Sequence, residues 1–469
     1  MISMREPGGL TLSEAADAIR TRALSPVELV SQQLAVIAAR NPLLNAYVTV
    51  MAEQAMADAE RAEAEIAAGA YRGPLHGIPL SLKDLIYTAG TVTTASSPIL
   101  RNFVPDQDAT VTTRLKAAGA IIIAKANMLE FAYGEVHPAF GPARNPWNPG
   151  YGTSGSSSGS AAAVAAGLDF GSLGSDTGGS IRLPAAYCGI VGLKPTYGLV
   201  SRRGVVPLAW TLDHVGPMTR SVRDNAILLQ AIAGQDAADS ASASALVPDY
   251  QHLIGRPAAG IKVGVVQAAA DDEVYPDVRR ETDNAMRALQ DAGYTIVPVA
   301  LPHPVQALRA LLALLYVEAS AVHAAWLRSH RDQYSQNTLD RLELGTLLPG
   351  TIYVRAQRIR RLVNDAYRQL FAQVDLLAMP VAPVAAYRLE DTPAEPVLET
   401  GDRFKTLCRF SGPFNLIGAP AISVPCGFGD NGLPIGVQLA APPFAEPLLY
   451  QAAAALEQQI GHFGSVVGV

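Results

Sequence analysis

The chain has 469 residues, of which 49% are apolar and 17% charged, and its formal net charge is −6. This composition is typical of a folded protein with a large core and excludes a disordered chain. The acidic balance and the lack of any dense Lys/Arg run argue against nucleic acid as the main partner. Three scattered cysteines (Cys188, Cys408 and Cys426) favour small buried side chains over disulfides, so we expect a cytoplasmic protein.

The hydropathy pattern does not indicate a membrane protein. The first ten residues lack the apolar stretch of a signal peptide. The most apolar helix candidate, residues 307–326, contains Arg309, Glu318 and His323. It is therefore predicted to be a core helix rather than a membrane span.

Predicted helices and strands alternate along the chain. Capping patterns at Thr11 and Ser25 begin two helices, and an Ala/Glu-rich stretch at residues 52–68 predicts a third. Apolar runs then predict strands at residues 120–124, 261–266, 295–299, 376–379, 421–425 and 435–439, with helices at 110–118 and 278–292. This alternation predicts an α/β fold with a mixed central β-sheet surrounded by α-helices.

Two hydroxyl-rich segments carry most of the functional signal. A Gly/Ser loop at residues 152–160, which includes Ser156, leads into an Ala-rich helix that is predicted to pack closely. A second Gly-rich turn, residues 176–180, ends at Ser180. Glycines let backbone N–H groups approach a ligand, and serines supply nucleophiles, so the pattern indicates acyl transfer.

Lys83 lies near the end of an apolar segment, residues 75–84. An extended surface lysine is one explanation, with its stem on apolar surface and its amine in water. A buried lysine is the other, and burial lowers the pKa of the amine so that it can serve as a base.

Other motifs fit less well. Residues 155–159 match the G-x-S-x-G nucleophile elbow, but that elbow follows a strand, and the Pro-containing residues 145–152 are not predicted to form one. No Gly-Lys-Ser/Thr follows the glycines, which excludes a phosphate-binding P-loop. The histidines lack metal-ligand spacing, so neither a metal nor a cofactor is expected.

Residues 155–184 resemble the signature of the amidase signature family, and further blocks extend the resemblance over nearly the whole chain (residues 75–84, 125–134, 186–198, 212–218 and 418–427). The resemblance implies the amidase signature fold and a Ser-cisSer-Lys triad. Ser180 would be the nucleophile, Ser156 the bridging serine in a cis peptide, and Lys83 the base. Where the family has two glycines before the bridging serine, this chain has Ser154-Gly155.

The resemblance also implies supporting roles and a domain plan. Backbone N–H groups of Thr177, Gly178, Gly179 and Ser180 would form the oxyanion hole. Ser157 would support Lys83, while Asp176 and Arg182 would form a structural pair that fixes the turn. We expect a single domain over residues 1–469, with N-terminal helices to about 70, a signature core at about 71–230 and a more variable pocket region at about 261–399. Predicted pocket residues are Met128, Leu129, Phe131, Tyr133 and Trp210, with core packing an equal alternative for each.

These expectations favour a stand-alone hydrolase that cleaves C–N bonds of amides or carbamates (urethanes), with esterase side activity. Its partner would be a small-molecule substrate, without nucleic acid or membrane, in a monomer or homodimer. The first alternative is the glutaminase subunit of a tRNA-dependent amidotransferase. The resemblance implies that such subunits carry an aspartate for the substrate ammonium just before the NLxGxP block. Residues 407–410 disfavour this alternative because they occupy that place and contain no acid. The second is an inactive ligand-binding relative, which the presence of all three triad residues disfavours.

Overall fold

The computed structural model describes residues 9–266, 274–390, 403–461 and 465–468. Its α-helices are α1 (Leu12–Arg20), α2 (Pro26–Leu44), α3 (Ala52–Ala67), α4 (Thr110–Ala117), α5 (Ser158–Ala165), α6 (Arg182–Cys188), α7 (Val222–Ile232), α8 (Pro276–Asp291), α9 (Pro304–Ser329), α10 (Gln336–Leu347), α11 (Gly350–Phe371), α12 (Arg403–Cys408), α13 (Gly412–Leu416) and α14 (Glu446–Ile460). Its strands are β1 (Tyr47–Val50), β2 (Pro79–Lys83), β3 (Ile121–Ala126), β4 (Arg144–Asn145), β5 (Asn148–Gly152), β6 (Ser172–Asp176), β7 (Val191–Lys194), β8 (His214–Thr219), β9 (Lys262–Val266), β10 (Thr295–Val299), β11 (Leu376–Pro380), β12 (Ala421–Phe428) and β13 (Pro434–Ala440).

An 11-stranded mixed sheet, with strand order β1-β3-β2-β6-β8-β7-β12-β13-β11-β9-β10, forms the centre of the molecule. Parallel pairs join β2 to β3 and to β6, whereas β8, β7, β12 and β13 pair antiparallel. The predicted α/β fold with a mixed sheet among helices is therefore confirmed. Single-domain organisation stays a prediction, and residues 267–273 and 391–399 of the expected pocket region lie outside the described residues.

The register of β2 and β6 sets up the candidate site. The two strands run parallel, with Ser81 opposite Ser172 and Leu82 opposite Leu173. Both strands are fully buried and end at the same edge of the sheet. Lys83, the last residue of β2, consequently lies beside the end of β6 and the Gly-rich turn that follows it.

Helix α5 shows why the Ala-rich sequence is needed. All eight of its residues are buried. A Cβ at Gly159 would lie 2.2 Å from the carbonyl oxygen of Ala46 and 2.6 Å from the Asn127 nitrogen. The helix therefore packs against neighbouring backbone, and only small residues fit there.

Helix α9 is long and apolar enough to cross a membrane by length and composition, but half of its most apolar window is buried inside the fold. Its polar residues have partners there. Glu318 accepts a hydrogen bond from the Thr211 N–H at 3.0 Å, and Nδ1 of His323 lies 2.8 Å from the Tyr334 hydroxyl. These contacts are those of a core helix.

One local prediction is wrong. Residues 145–152 were not expected to contain a strand, yet β4 and β5 pair as a two-stranded antiparallel ribbon. The ribbon is separate from the central sheet. Pro149 lies in β5, and both strands of a two-stranded ribbon are edge strands, which tolerate proline. It therefore does not supply the central strand that a nucleophile elbow requires.

Candidate active site

Lys83 is fully buried, and its Nζ lies 2.6 Å from Oγ of Ser156 and 2.9 Å from Oγ of Ser175. Burial lowers the pKa of the Lys83 amine to about 7, although Asp176 and Asp213 oppose the shift. Much of the amine is therefore neutral near neutral pH. Because Lys83 is buried, it is not a surface lysine with its amine in water, which was one of the two interpretations of residues 75–84.

Ser175 is a contact of Lys83 that the sequence did not reveal. It lies on β6 one residue before Asp176, and its hydroxyl is the second oxygen on the lysine. An alternation of side chains along residues 172–176 could have predicted that Ser175 lies on a strand. It could not have predicted the parallel pairing with β2, which brings Ser175 to Lys83.

Ser156 and Ser180 line the same cavity of about 240 Å³. The Gly155–Ser156 peptide bond is cis, and the preceding Ser154 has a left-handed backbone (φ 59°). The link between the two loops is a backbone one, since the Ser157 N–H donates to the Ser180 carbonyl at 3.1 Å. Within the described part of the chain, no hydrogen bond joins the Ser156 and Ser180 hydroxyls, so the relay contact between them stays a prediction.

Ser157 makes its side-chain hydrogen bonds next to Lys83, with Ser175, rather than with the lysine itself. Its hydroxyl donates to the Ser175 carbonyl at 3.1 Å and accepts from the Ser175 N–H at 3.3 Å. Ser157 therefore holds the backbone of a residue that contacts the lysine.

The Gly-rich turn is organised around Asp176. Its carboxylate accepts the N–H groups of Gly179, at 2.8 Å, and Ile181, at 3.1 Å. The Gly179 N–H is thus committed to Asp176, which corrects its expected place in an oxyanion hole. The N–H groups of Thr177, Gly178 and Ser180 have no partner among the residues described and remain as candidate donors.

Asp176 and Arg182 form a fully buried, two-pronged ion pair, with Nη2–Oδ1 at 2.9 Å and Nε–Oδ2 at 3.0 Å. Burial alone would raise the pKa of Asp176, but the Arg182 guanidinium and Asn415 hold it well below its usual range. Arg182 also donates to the carbonyl of Ser411 at 2.9 Å and to Oδ1 of Asn415 at 2.7 Å. The pair thereby ties the turn to the segment around α13.

Two of the predicted pocket residues, Leu129 and Tyr133, line the cavity that contains both serines. A Cβ at Gly155 would lie 2.5 Å from the Leu129 side chain, so Leu129 forms the wall next to the cis peptide. Other lining residues were not predicted, and they include Glu135, Asn337, Arg341, Leu407 and Cys408.

The structure places the other three predicted pocket residues outside this cavity. Met128 is fully buried in the core. Phe131 packs in an aromatic cluster, with ring centroids 4.6 Å from His323 and 5.3 Å from Trp326. Trp210 is 45% exposed and lines a different cavity. Apolar side chains near the motif fill the core as readily as a pocket, and residue type does not distinguish the two cases.

That different cavity measures about 300 Å³ and borders Ser175 and Thr177 on another side of the site. Ala132 lines both cavities. A larger groove of about 970 Å³ lies against α3 and contains none of the predicted site residues, so its size carries no functional weight.

The chain resembles known proteins in sequence and in fold. A sequence profile of the Amidase family matches residues 28–450. The chain belongs to the amidase signature family. It is an amidase-family enzyme that hydrolyses C–N bonds, as the sequence predicts.

The curated relatives are more specific. A protein of Geobacter metallireducens that is named as a subunit of glutamyl-tRNA(Gln) amidotransferase is 41% identical, over 96% of this chain and 97% of its own. The crystal structure of the same amidotransferase component from Thermotoga maritima has a TM-score of 0.83 at 32% identity and covers all of both chains.

Two further solved structures resemble the chain. The peptide amidase of Stenotrophomonas maltophilia has a TM-score of 0.86 at 31% identity, over 98% of each chain. A structure described as "an unexpected vestigial protein complex" that "reveals the evolutionary origins of an s-triazine catabolic enzyme" has a TM-score of 0.91 at 33% identity, over 98% of this chain and 100% of its own.

The relatives' names overturn two expectations. The stand-alone amide or carbamate hydrolase is contradicted, because near-full-length relatives are named as one component of an amidotransferase. The small-molecule partner set without nucleic acid is contradicted too, because those names include a tRNA. The net charge was a poor guide to a nucleic-acid partner, because it averages the whole surface and carries no information about contacts made by another protein chain.

Proposed function

We propose that this chain is the glutamine-hydrolysing subunit of a tRNA-dependent amidotransferase and works in the cytoplasm beside partner subunits. The observation that carries the proposal is 41% identity over 96% of the chain to a protein of that enzyme. The presence of Lys83, Ser156 and Ser180 around one buried amine and one cavity supports it.

In the proposed reaction, Ser180 attacks the side-chain amide carbon of glutamine. Ser156 accepts the proton from Ser180 and passes a proton to neutral Lys83, whose Nζ lies 2.6 Å away. The N–H groups of Thr177, Gly178 and Ser180 stabilise the tetrahedral oxyanion. The proton returns to the leaving nitrogen, ammonia departs, and water hydrolyses the γ-glutamyl ester to glutamate.

The cavity suits an amino acid with a carboxylate. Arg341 lines it, with its guanidinium carbon 5.6 Å from the centroid of the Tyr133 ring. A guanidinium pairs with a carboxylate through two parallel hydrogen bonds. Arg341 is accordingly assigned to the α-carboxylate of glutamine.

An amidotransferase must also send ammonia onward. The cavity bordering Ser175 and Thr177 lies next to the reaction site, and Ala132 lines both this cavity and the one that contains Ser156 and Ser180. Two of its lining residues are hydrogen-bonded, since the Thr177 hydroxyl donates to Asp213 at 2.6 Å. We assign this cavity to the departure of ammonia.

The test is reconstitution. The full chain replaces its relative in the amidotransferase of Geobacter metallireducens, and amidation of glutamyl-tRNA(Gln) is measured with glutamine or with ammonium chloride as nitrogen source. Glutamine-dependent amidation that Ser180→Ala abolishes, with ammonium-dependent amidation retained, supports the proposal. A chain that neither joins the other components nor releases ammonia from glutamine refutes it.

A further inference from the structure

Glu135 is the acidic side chain that lines the cavity of Ser156 and Ser180 among the residues described. Its Oε1 accepts the N–H of Asn337, near the start of α10, at 3.1 Å. Oε2 has no partner among the described residues. A carboxylate oxygen is therefore available at the cavity wall.

Asn337 supplies a second acceptor at the same place. Its side-chain oxygen Oδ1 is buried and has no hydrogen-bond partner in the described structure, and Asn337 lines the cavity. A buried acceptor without a donor costs about 1–3 kcal/mol. A ligand with N–H donors removes that cost.

Helix α10 carries both Asn337 and Arg341. They are four residues apart, so they lie on one helix face with their backbones about 6 Å apart along the axis. Both residues line the cavity, together with Glu135. The same cavity wall therefore presents carboxylate and amide oxygens as well as a guanidinium, and an α-amino acid carries an ammonium and a carboxylate that pair with the two.

We propose that Glu135 and the amide oxygen of Asn337 bind the α-ammonium of the substrate, opposite the carboxylate held by Arg341, and so select free α-amino acids. The proposal rests on the proposed function, because it names how the same site recognises glutamine. It also accounts for the absence of an acid at residues 407–410, where Cys408 lines the cavity. In this chain the acid that binds the substrate ammonium is Glu135, from another segment.

Glu130 provides a matched control. Its Oε2 accepts the Ser335 N–H at 2.9 Å, so it anchors the start of α10 as Glu135 does. Glu130 does not line the cavity. A purely structural role of Glu135 would therefore be reproduced by Glu130.

The experiment compares glutamine with 5-amino-5-oxopentanoate, which keeps the amide and the carboxylate but lacks the α-ammonium. Ammonia release by the full chain is followed for wild type, Glu135→Gln, Asn337→Ala and Glu130→Gln. Glu135→Gln should raise KM for glutamine about 10- to 100-fold, with KM for the analogue unchanged, since a hydrogen bond to a charged group has that value. Asn337→Ala should show the same selectivity, and Glu130→Gln should affect both substrates alike.

Equal losses on both substrates in Glu135→Gln, matching Glu130→Gln, would show that Glu135 only anchors α10 and would overturn the inference while the proposed function stands. Absence of ammonia release from glutamine by wild type, with release from the analogue, refutes the proposed function itself.

Discussion

Nζ of Lys83 lies 2.6 Å from Oγ of Ser156, although the residues are 73 positions apart in the chain. The contact exists because β2 ends beside β6 and because α5 packs tightly beneath the loop that carries Ser156. A buried amine next to a hydroxyl can act as a base, and its protonation state should govern the rate.

The pH dependence follows from that burial. The pKa of Lys83 is lowered to about 7, and the amine is neutral and able to accept a proton only above its pKa. We therefore expect kcat/KM to rise with pH through about 7 and then level off. Lys83→Arg, whose guanidinium stays charged, should lose the activity at every pH. A flat wild-type profile between pH 5 and about 9 would remove Lys83 as the base.

Replacement of the nucleophile should be far more damaging than replacement of a nearby hydroxyl. Ser180→Ala is expected to lower kcat about a thousandfold or more, because no other oxygen takes its place. Ser158→Ala is the matched control, since Ser158 is the first residue of α5, two positions after Ser156, and does not line the cavity. Steady-state ammonia release measures both. Comparable rates in the two variants would contradict the assignment.

The Asp176–Arg182 pair should contribute to stability rather than to chemistry. Both side chains are fully buried, so Arg182→Leu leaves the Asp176 charge without its partner and should lower the free energy of unfolding by about 3–5 kcal/mol. Urea denaturation measures it. The exposed pair Arg368–Asp365 is the control, and Arg368→Leu should leave the midpoint unchanged. Equal midpoints for both variants would show that the buried pair is dispensable.

Replacement by alanine should affect the free energy of unfolding differently at Gly159, in the closely packed α5, and at Gly350, in open space. Gly159→Ala places a Cβ against backbone atoms of Ala46 and Asn127 and should cost about 1–3 kcal/mol of unfolding free energy. Gly350→Ala, at the start of α11 with no atom within 4 Å, should be neutral or stabilising. Thermal unfolding distinguishes them, and a stable Gly159→Ala would mean that α5 shifts freely.

The sequence predicted those parts that depend on local pattern. The capping box at Thr11, six of the eleven strands of the sheet (β3 and β9 to β13) and the Asp176–Arg182 pair, only six residues apart, follow from neighbouring residues. The family signature likewise identified Lys83, Ser156 and Ser180 as the residues to examine.

The features that the sequence did not predict depend on contacts between distant segments of the chain. Ser175 reaches Lys83 through the parallel register of β2 and β6. Glu135 lines the cavity together with Asn337, to which it is hydrogen-bonded although the two are 202 residues apart. Phe131 is as apolar as Leu129, yet it turns into the core because His323 and Trp326 of α9 pack on it. Periodicity carries no information about such pairings.

Trapping the acyl-enzyme shows which serine is the nucleophile. The full chain is mixed with glutamine, quenched in acid within one turnover and digested, and the peptides are examined by mass spectrometry. We expect one γ-glutamyl group on Ser180, absent in Ser180→Ala and accumulating less in Lys83→Arg. A γ-glutamyl group on Ser156 or Ser157, or ammonia release from glutamine by Ser180→Ala at the wild-type rate, would contradict it.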